Sequence, residues 1–441
     1  MSASAFVDVN ALISRRSLGG LQKLVLFFGF CIITLEGFDL TAMGFIIPAL
    51  RQQWNITSND LGPALSAAQI GLVLGAISAG PIADRFGRKV VLLVSMAIFG
   101  IATLLTASAG NLAYLVLFRF LTGVGTGSVV PITATLISEY VPERMRSLSV
   151  AFMICGVSFS ATCAGFLSAW MIPQFGWQSV LVLGGLMPLL MIPALALLLP
   201  ESVRFLVASQ ASPSRIRAIV DRLAPGETSE GSVFVAPAEP VATGATKLVF
   251  SAPYWFGGLM LGIAYFAALF ASNILSHWLP SVIKDAGYSL SFAAVIGAVY
   301  HLGGVVGSLV LGWTMDRRQQ PRVPSVAYLA SAVLFLAFGF AVHSASLLLV
   351  QSFVLGFCLI GAISCVNALP TAFYPTKARA TGSCWMHGAG RCGAFVSIFS
   401  GAQMLTMGWG ATSIFFVLAV PALAAGLALI AKERQAQRRV D

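Results

Sequence analysis

Long apolar segments separated by short polar ones run along almost the whole chain. Twelve of them are long enough to cross a ~30 Å hydrocarbon core as α-helices, which takes about 20 residues. They lie at approximately 24–50, 60–83, 90–109, 112–138, 148–171, 177–199, 253–282, 290–315, 323–343, 346–372, 378–406 and 410–431. Hydrophobic residues make up 58% of the 441 and charged residues only 10%, far fewer charges than a soluble domain carries. The pattern predicts an all-α integral membrane protein with twelve transmembrane helices.

The basic residues are distributed unevenly about these segments. Of the 26 Lys and Arg, Arg119 and Arg391 lie inside spans, and Arg51 and Lys284 lie in loops on one side. All the others lie on the opposite side, in the termini, in the loops or, for Arg379, at the start of a span. Because Lys and Arg accumulate in cytoplasmic loops, we expect an inner-membrane protein with both termini in the cytoplasm. The net charge of +10 therefore reflects topology and gives no reason to expect a nucleic-acid partner.

The longest polar stretch, at about 200–250, divides the spans six and six. We predict an N-terminal six-helix half at 1–200, a cytoplasmic central loop at 201–250 and a C-terminal six-helix half at 251–441. An offset of 232–233 residues aligns polar landmarks of the two halves: Gly80, Asp84 and Arg85 with Gly312, Asp316 and Arg317, Gly123 with Gly356, Pro142 with Pro375, and Arg146 with Arg379. Two parallel six-helix repeats are typical of transporters.

Two acids lie deep in the first apolar span. Glu36 and Asp39 are three residues apart and share a helix face. Each costs roughly 2.5–3.5 kcal/mol at the centre of a lipid-exposed helix, so an acid at this depth faces protein or a water-filled cavity. Arg119 in the fourth span could pair with either acid and lower its pKa. We predict that Asp39 is a proton-coupling site tuned by Glu36 and Arg119, with a static structural charge pair as the alternative.

The second half carries different polar groups at membrane depth. Ala271 stands where the repeat would place an acid, beside Asn273, whereas Arg391 and His301 approach the midplane. Arginine can hold a carboxylate by two parallel hydrogen bonds, and histidine can donate to it or titrate near physiological pH. We predict an anion-binding substrate site made of Arg391, His301 and nearby residues, namely Tyr300, Asn273 and Trp385, with Trp278 and Phe266 as further candidates for ring stacking.

Charged residues also recur where short loops join the helices on the basic side. Asp84 and Arg88 flank the reversal between the second and third spans, and Asp316 occupies the equivalent place in the second half. Arg146 and Arg379 begin equivalent spans. We predict that these five residues form a conformational latch that closes the cytoplasmic side.

Several of these motifs resemble those of a known family. The run from Gly80 to Lys89 resembles the loop motif of the major facilitator superfamily. Three further segments resemble the aromatic acid:proton symporter family within it, namely Leu35–Asp39, Phe120–Arg144 and Tyr374–Gly393. The Pro200-Glu201-Ser202 motif resembles one shared by sugar and organic-ion porters. The resemblance implies the major facilitator fold and proton-coupled uptake of benzoate-type carboxylates by alternating access. Glu36, Trp385 and Cys392 depart from the residues usual in that family.

Other functions remain open at this stage. A sugar or other organic-solute:proton symporter would also tolerate an acid in the first helix but would not need Arg391. A sensor could bind the same ligand without transporting it. A drug exporter is less favoured, because an exporter of cations has little use for buried arginine and histidine. An enzyme is disfavoured, because the chain has four histidines, no metal-ligand spacing and no nucleophile–base motif. We expect no cofactor, no metal, a lipid bilayer as the environment, and a monomer.

Overall fold

The computed structural model describes residues 6–8, 12–14, 18–223, 233–235, 245–318, 320, 322–341, 344–375 and 378–437. Six long helices make up the first half: α1 (Gly20–Trp54), α2 (Ser58–Phe86), α3 (Arg88–Ala107), α4 (Leu112–Tyr140), α5 (Arg146–Phe175) and α6 (Gln178–Leu198). Three short helices follow: α7 (Val203–Ala208), α8 (Pro213–Leu223) and α9 (Ala245–Val249). The second half consists of α10 (Trp255–Asp285), α11 (Leu290–Arg318), α12 (Val323–Ala341), α13 (Ala345–Phe373), α14 (Arg379–Thr406) and α15 (Ala411–Gln437).

These helices confirm the predicted all-α membrane architecture. Within the described part of the chain, ten helices are long and apolar enough to cross a membrane. α12 is apolar over the shorter stretch Val323–Phe338. α14 has 28 residues but is less apolar, since it carries His387 and Arg391. Two short strands, β1 (Phe6–Asp8) and β2 (Val233–Val235), pair in parallel.

The internal repeat extends to the way the helices pack. A Cβ added at Gly123 of α4 would meet the Ala68 carbonyl of α2, and one added at Gly356 of α13 would meet the Tyr300 carbonyl of α11. Both partners of this contact are related by the offset found in the sequence. Only glycine lets two backbones approach so closely, so the equivalent glycines make α2–α4 and α11–α13 equivalent helix pairs.

The chain divides into two compact units. The first comprises Met1–Leu40, Ala67–Ser160 and Leu181–Pro240, and the second comprises Thr41–Ser66, Ala161–Val180 and Val241–Asp441. Helices α1, α2, α5 and α6 therefore each contribute to both units. The first unit has an apolar core to which α1, α3, α4 and α6 contribute, among others, Ile33, Met96, Leu136 and Leu195.

Polar contacts hold the segment Thr41–Ser66 within the second unit. At the end of α1, Arg51 Nη1 lies 3.1 Å from Asp285 Oδ2 at the end of α10. In α2, Asn59 Nδ2 donates to Gln403 Oε1 of α14 at 3.1 Å. These contacts join the end of α1 to α10 and the start of α2 to α14. The second contact also identifies the face of α14 that meets α2.

Candidate functional site

The acid and the arginine predicted from the first half meet in the core of the first unit. Arg119 of α4 makes two hydrogen bonds to Asp39 of α1, from Nη1 to Oδ2 at 3.2 Å and from Nη2 to Oδ1 at 3.3 Å. Asp39 is 2% exposed and Arg119 1% exposed. This is the planar, two-bond geometry in which a guanidinium stabilises an ionised carboxylate. Arg119 therefore pairs with Asp39.

Three threonines complete the surroundings of this pair, and the sequence analysis did not single them out. Thr103 of α3 donates to Asp39 Oδ1 at 2.8 Å. Arg119 Nη2 donates to Thr106 and to Thr122, both at 3.2 Å. Thr103 and Thr106 lie one helical turn apart in an otherwise apolar span. This spacing was the signal in the sequence that could have placed both hydroxyls on one buried face. The hydroxyls give Arg119 acceptors that do not depend on the charge of Asp39.

Glu36 is also buried, at 2% exposed, one helical turn before Asp39 on α1. Close packing surrounds it, since a Cβ added at the adjacent Gly37 would meet Ser160 and Val157 of α5. The first unit therefore buries two acids and one arginine within a few turns of each other.

A second charged cluster lies where α2 ends and α3 begins. Gly87 has φ of +97°, a conformation that glycine adopts without strain, and it allows the tight reversal expected from the sequence. Arg88, the first residue of α3, lies 3.0 Å from Asp84 and 3.6 Å from Glu139 of α4. Arg88 therefore links α2 to α4. Asp84 itself is largely exposed, whereas Glu139 is buried.

Glu201 caps the start of α3, a role the sequence analysis missed. Its Oε1 accepts hydrogen bonds from the backbone N–H groups of Arg88 at 2.9 Å and Lys89 at 3.1 Å. A helix N-terminus leaves such N–H groups unpaired and favours a negative charge. The carbonyl of Glu201 accepts from the Tyr140 hydroxyl at 2.5 Å. The Pro200-Glu201-Ser202 motif therefore joins the ends of α3 and α4 in the first unit.

The remaining latch candidates are placed as follows. Arg146 is the first residue of α5 and is half-buried, and Arg379 is the first residue of α14. Arg379 Nε donates to the Tyr374 carbonyl at 3.2 Å. Asp316 lies in α11, but its side chain falls outside the described part of the structure.

In the second unit, Arg391 stands near the middle of α14 and its side chain is exposed. No carboxylate of a described residue forms an ion pair with it. The acids in the helices of the second half all lie towards helix ends, namely Asp285, Asp316 and Glu433. We expect an arginine at this depth to face a water-filled cavity, because facing lipid is costly. The guanidinium can therefore bind an anion supplied from outside the chain.

Three more polar side chains lie in the region of Arg391, one on α14 itself and two on neighbouring helices. His387, one turn earlier, has its ring centroid 5.1 Å from that of Tyr265 in α10. Asn367 of α13 lies near the buried Tyr265 hydroxyl, and its Oδ1 is buried without a partner in the described structure. Tyr265, Asn367 and His387 were missed from the sequence. For His387 the signal was its i, i+4 relation to Arg391.

The other predicted binding residues form a separate group in the second unit. Tyr300 and His301 of α11 are buried, and the Tyr300 hydroxyl lies 3.2 Å from Ser272 Oγ of α10. Asn273 donates to the Leu269 carbonyl at 2.9 Å, and its own carbonyl lies 3.0 Å from His277 Nδ1. No contact between described residues joins this group directly to Arg391.

Trp385 lies on a different face of α14 from Arg391. The two are six residues apart, which places them about 120° apart around the helix. Trp385 is 55% exposed, and its ring meets Phe250 edge-on at 4.9 Å between centroids. It shares its face with Gln403, which contacts Asn59. Trp278 is buried against Gly401.

A bundle of membrane-crossing helices in two repeats, with buried charges in its interior, defines a multi-pass membrane transporter. The family model of the Major Facilitator Superfamily matches residues 29–398, and the chain belongs to this superfamily. This confirms the family expected from the motifs, and it is a family of transporters and not of enzymes. The fold agrees: a bacterial homologue of the human lysosomal transporter Spinster, solved inward-facing and unoccupied, matches with a TM-score of 0.67, 16% identity, 94% of this chain and 99% of its own.

Curated relatives are similar over nearly their whole length. The 4-hydroxybenzoate transporter PcaK of Acinetobacter baylyi is 41% identical over 430 residues, covering 97% of this chain and 94% of its own. The gallate transporter of Pseudomonas putida is 41% identical, covering 96% and 95%. The 3-(3-hydroxy-phenyl)propionate transporter of Escherichia coli is 32% identical, covering 92% and 94%. All three relatives are named as transporters of aromatic acids.

Proposed function

We propose that this protein carries aromatic carboxylates of the hydroxybenzoate type into the cell together with a proton, by alternating access across the cytoplasmic membrane. The observation that carries the proposal is Arg391, an arginine at mid-helix that no carboxylate of the described residues neutralises. A substrate carboxylate supplies the missing negative charge and fits the planar fork of the guanidinium.

The relatives support an aromatic carboxylate in particular. 4-Hydroxybenzoate and gallate, the compounds in their names, each combine a carboxylate with a hydroxylated ring. The second unit offers partners for both parts: Arg391 for the carboxylate, and the rings and polar groups of Tyr265, Asn367 and His387 beside it. We keep His301, Tyr300, Asn273 and Trp385 as proposed contributors to substrate binding.

Proton coupling is assigned to the charge cluster of the first unit. While the two are bonded, Arg119 supplies the counter-charge of Asp39. When the helices rearrange and the pair separates, Asp39 becomes a buried acid without its counter-charge and takes up a proton. Arg119 then keeps Thr106 and Thr122 as acceptors, which lowers the cost of the separated state. Glu36, one turn away, adds negative charge to the same cluster and tunes that exchange.

The latch proposal concerns the charged helix ends. Arg146 and Arg379 are proposed to meet Asp316 and Asp84 across the two halves when the cytoplasmic side is closed, with Arg88 beside Asp84 as a further member of the latch. Asp84 is 73% exposed, and an ion pair so exposed contributes little to stability. This supports a contact that breaks readily in the transport cycle. We further propose an inner-membrane monomer with both termini in the cytoplasm, as the charge bias indicates.

Uptake assays test the proposal directly. Cells or proteoliposomes containing the protein are given labelled benzoate, 4-hydroxybenzoate, gallate or glucose, each with and without a protonophore. We expect accumulation of one or more of the acids, abolished by the protonophore, and no accumulation of glucose. Accumulation of glucose would favour the sugar symporter. Acid uptake that the protonophore leaves unchanged would remove proton coupling.

A further inference from the structure

His387 occupies a position from which it can contact the same ligand as Arg391. The two residues are four apart on α14, so their Cβ atoms lie about 5–6 Å apart on one face. Trp385, only two residues from His387, lies on another face and packs against Phe250. His387 is exposed on the side of the helix where Tyr265 and Arg391 lie.

The hydrogen bonds of His387 determine which of its ring nitrogens can accept. Nδ1 lies 2.8 Å from the carbonyl oxygen of Ser383, one turn earlier. A carbonyl oxygen only accepts, so Nδ1 carries the proton, and Nε2 of the neutral ring is an acceptor. No described residue donates to Nε2. The exposed end of His387 therefore presents an acceptor beside Arg391, whose guanidinium only donates.

This pairing of a donor and an acceptor suits one particular kind of molecule. A carboxylate and a ring hydroxyl lie at opposite ends of 4-hydroxybenzoate, so one such molecule can contact two side chains that extend from neighbouring turns of one helix face. A carboxylate accepts, and a ring hydroxyl donates. We propose that His387 is a specificity-determining residue that accepts a hydrogen bond from the ring hydroxyl of the aromatic acid whose carboxylate Arg391 binds. The inference rests on the proposed function.

The energetic consequence is discrimination against acids without the hydroxyl. A site that offers a polar group to a substrate hydroxyl rejects the analogue lacking it, because that group is left unpaired when the ligand excludes water. Benzoate would leave Nε2 of His387 without a donor, whereas 4-hydroxybenzoate would supply one. The residue therefore affects the ratio of the two affinities more than the affinity for carboxylates in general.

The test measures the dissociation constants of benzoate and 4-hydroxybenzoate on the purified full-length protein in detergent or nanodiscs, for the wild type and for His387→Leu and His387→Gln. We expect His387→Leu to weaken the binding of 4-hydroxybenzoate about tenfold or more, whereas the binding of benzoate is unchanged or becomes tighter, because no acceptor is then left unpaired. His387→Gln keeps an acceptor oxygen and should retain part of the preference. Benzoate binding serves as the internal control for folding, together with a monodisperse gel-filtration profile.

The outcomes separate this inference from the proposed function. If His387→Leu raises the dissociation constants of both acids equally, or changes neither, the role of His387 is overturned. Binding of aromatic acids by the protein is then still in place. A wild-type protein that binds neither acid overturns both. If His387→Leu is misfolded, the comparison is made with His387→Gln and His387→Asn, and an unchanged ratio of constants in both overturns the inference.

Discussion

The two units each contain one arginine at membrane depth, and the two arginines have opposite surroundings. Arg119 is 1% exposed and bonded to Asp39 and to threonine hydroxyls. Arg391 is exposed, and no described carboxylate neutralises it. An arginine with a counter-charge inside the protein can respond to protonation of that acid. An arginine without one can bind an anion from outside. The difference supports the proposal that the first unit handles the proton and the second binds the substrate carboxylate.

The largest expected effect follows from Arg391. Arg391→Ala and Arg391→Lys should both lower carboxylate uptake by about a hundredfold or more, because a lysine cannot reproduce the two-bond contact. Uptake of labelled 4-hydroxybenzoate measures the effect, with membrane abundance of each variant as the control. Near-normal uptake and affinity in the lysine variant would remove Arg391 from the substrate site.

The free energy of unfolding should depend strongly on the charge pair of Arg119 and little on Arg391. Removing Asp39 by Asp39→Leu leaves Arg119 buried without a counter-charge, which should cost about 3–5 kcal/mol of unfolding free energy. The double variant Asp39→Leu/Arg119→Met should recover most of that loss, because both charges are then absent. Arg391→Met serves as the matched control and should change stability little.

Thermal unfolding of the purified variants makes this measurement. A double variant as unstable as Asp39→Leu alone would show that the pair is not the source of the loss. An equally large destabilisation by Arg391→Met would contradict the claim that, of the two arginines, only Arg119 is paired with a carboxylate of the described residues.

Asp39→Asn should uncouple transport from the proton. The amide resembles the protonated acid, so it should reduce pH-gradient-driven accumulation about tenfold or more, whereas substrate exchange needs no net proton movement and should persist. Vesicles loaded with unlabelled substrate allow both modes to be measured on one preparation. If Asp39→Asn still concentrates substrate in response to a pH gradient, the coupling site is elsewhere, with Glu36 or His301 the next residues to test.

The smallest effect is expected at the latch. Asp84→Asn removes the ion pair with Arg88 at 3.0 Å, which joins none of the residues proposed to bind substrate. It should slow transport several-fold and leave the equilibrium dissociation constant unchanged, because an exposed pair contributes only about 0–1 kcal/mol. Glu143→Gln, an exposed acid next to α5, is the control. Loss of binding at a normal transport rate would contradict a role in alternation.

The sequence alone determined the architecture. Hydrophobic segments of sufficient length must cross the bilayer as helices, because lipid offers no partner for backbone polar groups. The repeat was readable because polar landmarks shared one offset. Arg119, Arg391, Glu36 and Asp39 could be singled out, because an ionisable group at membrane depth is costly wherever it points.

The tertiary structure decided which of these groups meet. Spacing along one helix gives the face on which a residue lies but not the neighbouring helix that this face contacts. Only the packing of α1, α3 and α4 shows that Arg119 binds Asp39, with threonines around it. Glu201, distant in sequence from α3, caps that helix because the fold brings the two together. On α14, the neighbours of each face separate His387 and Arg391 from Trp385, although all three lie within seven residues of one another.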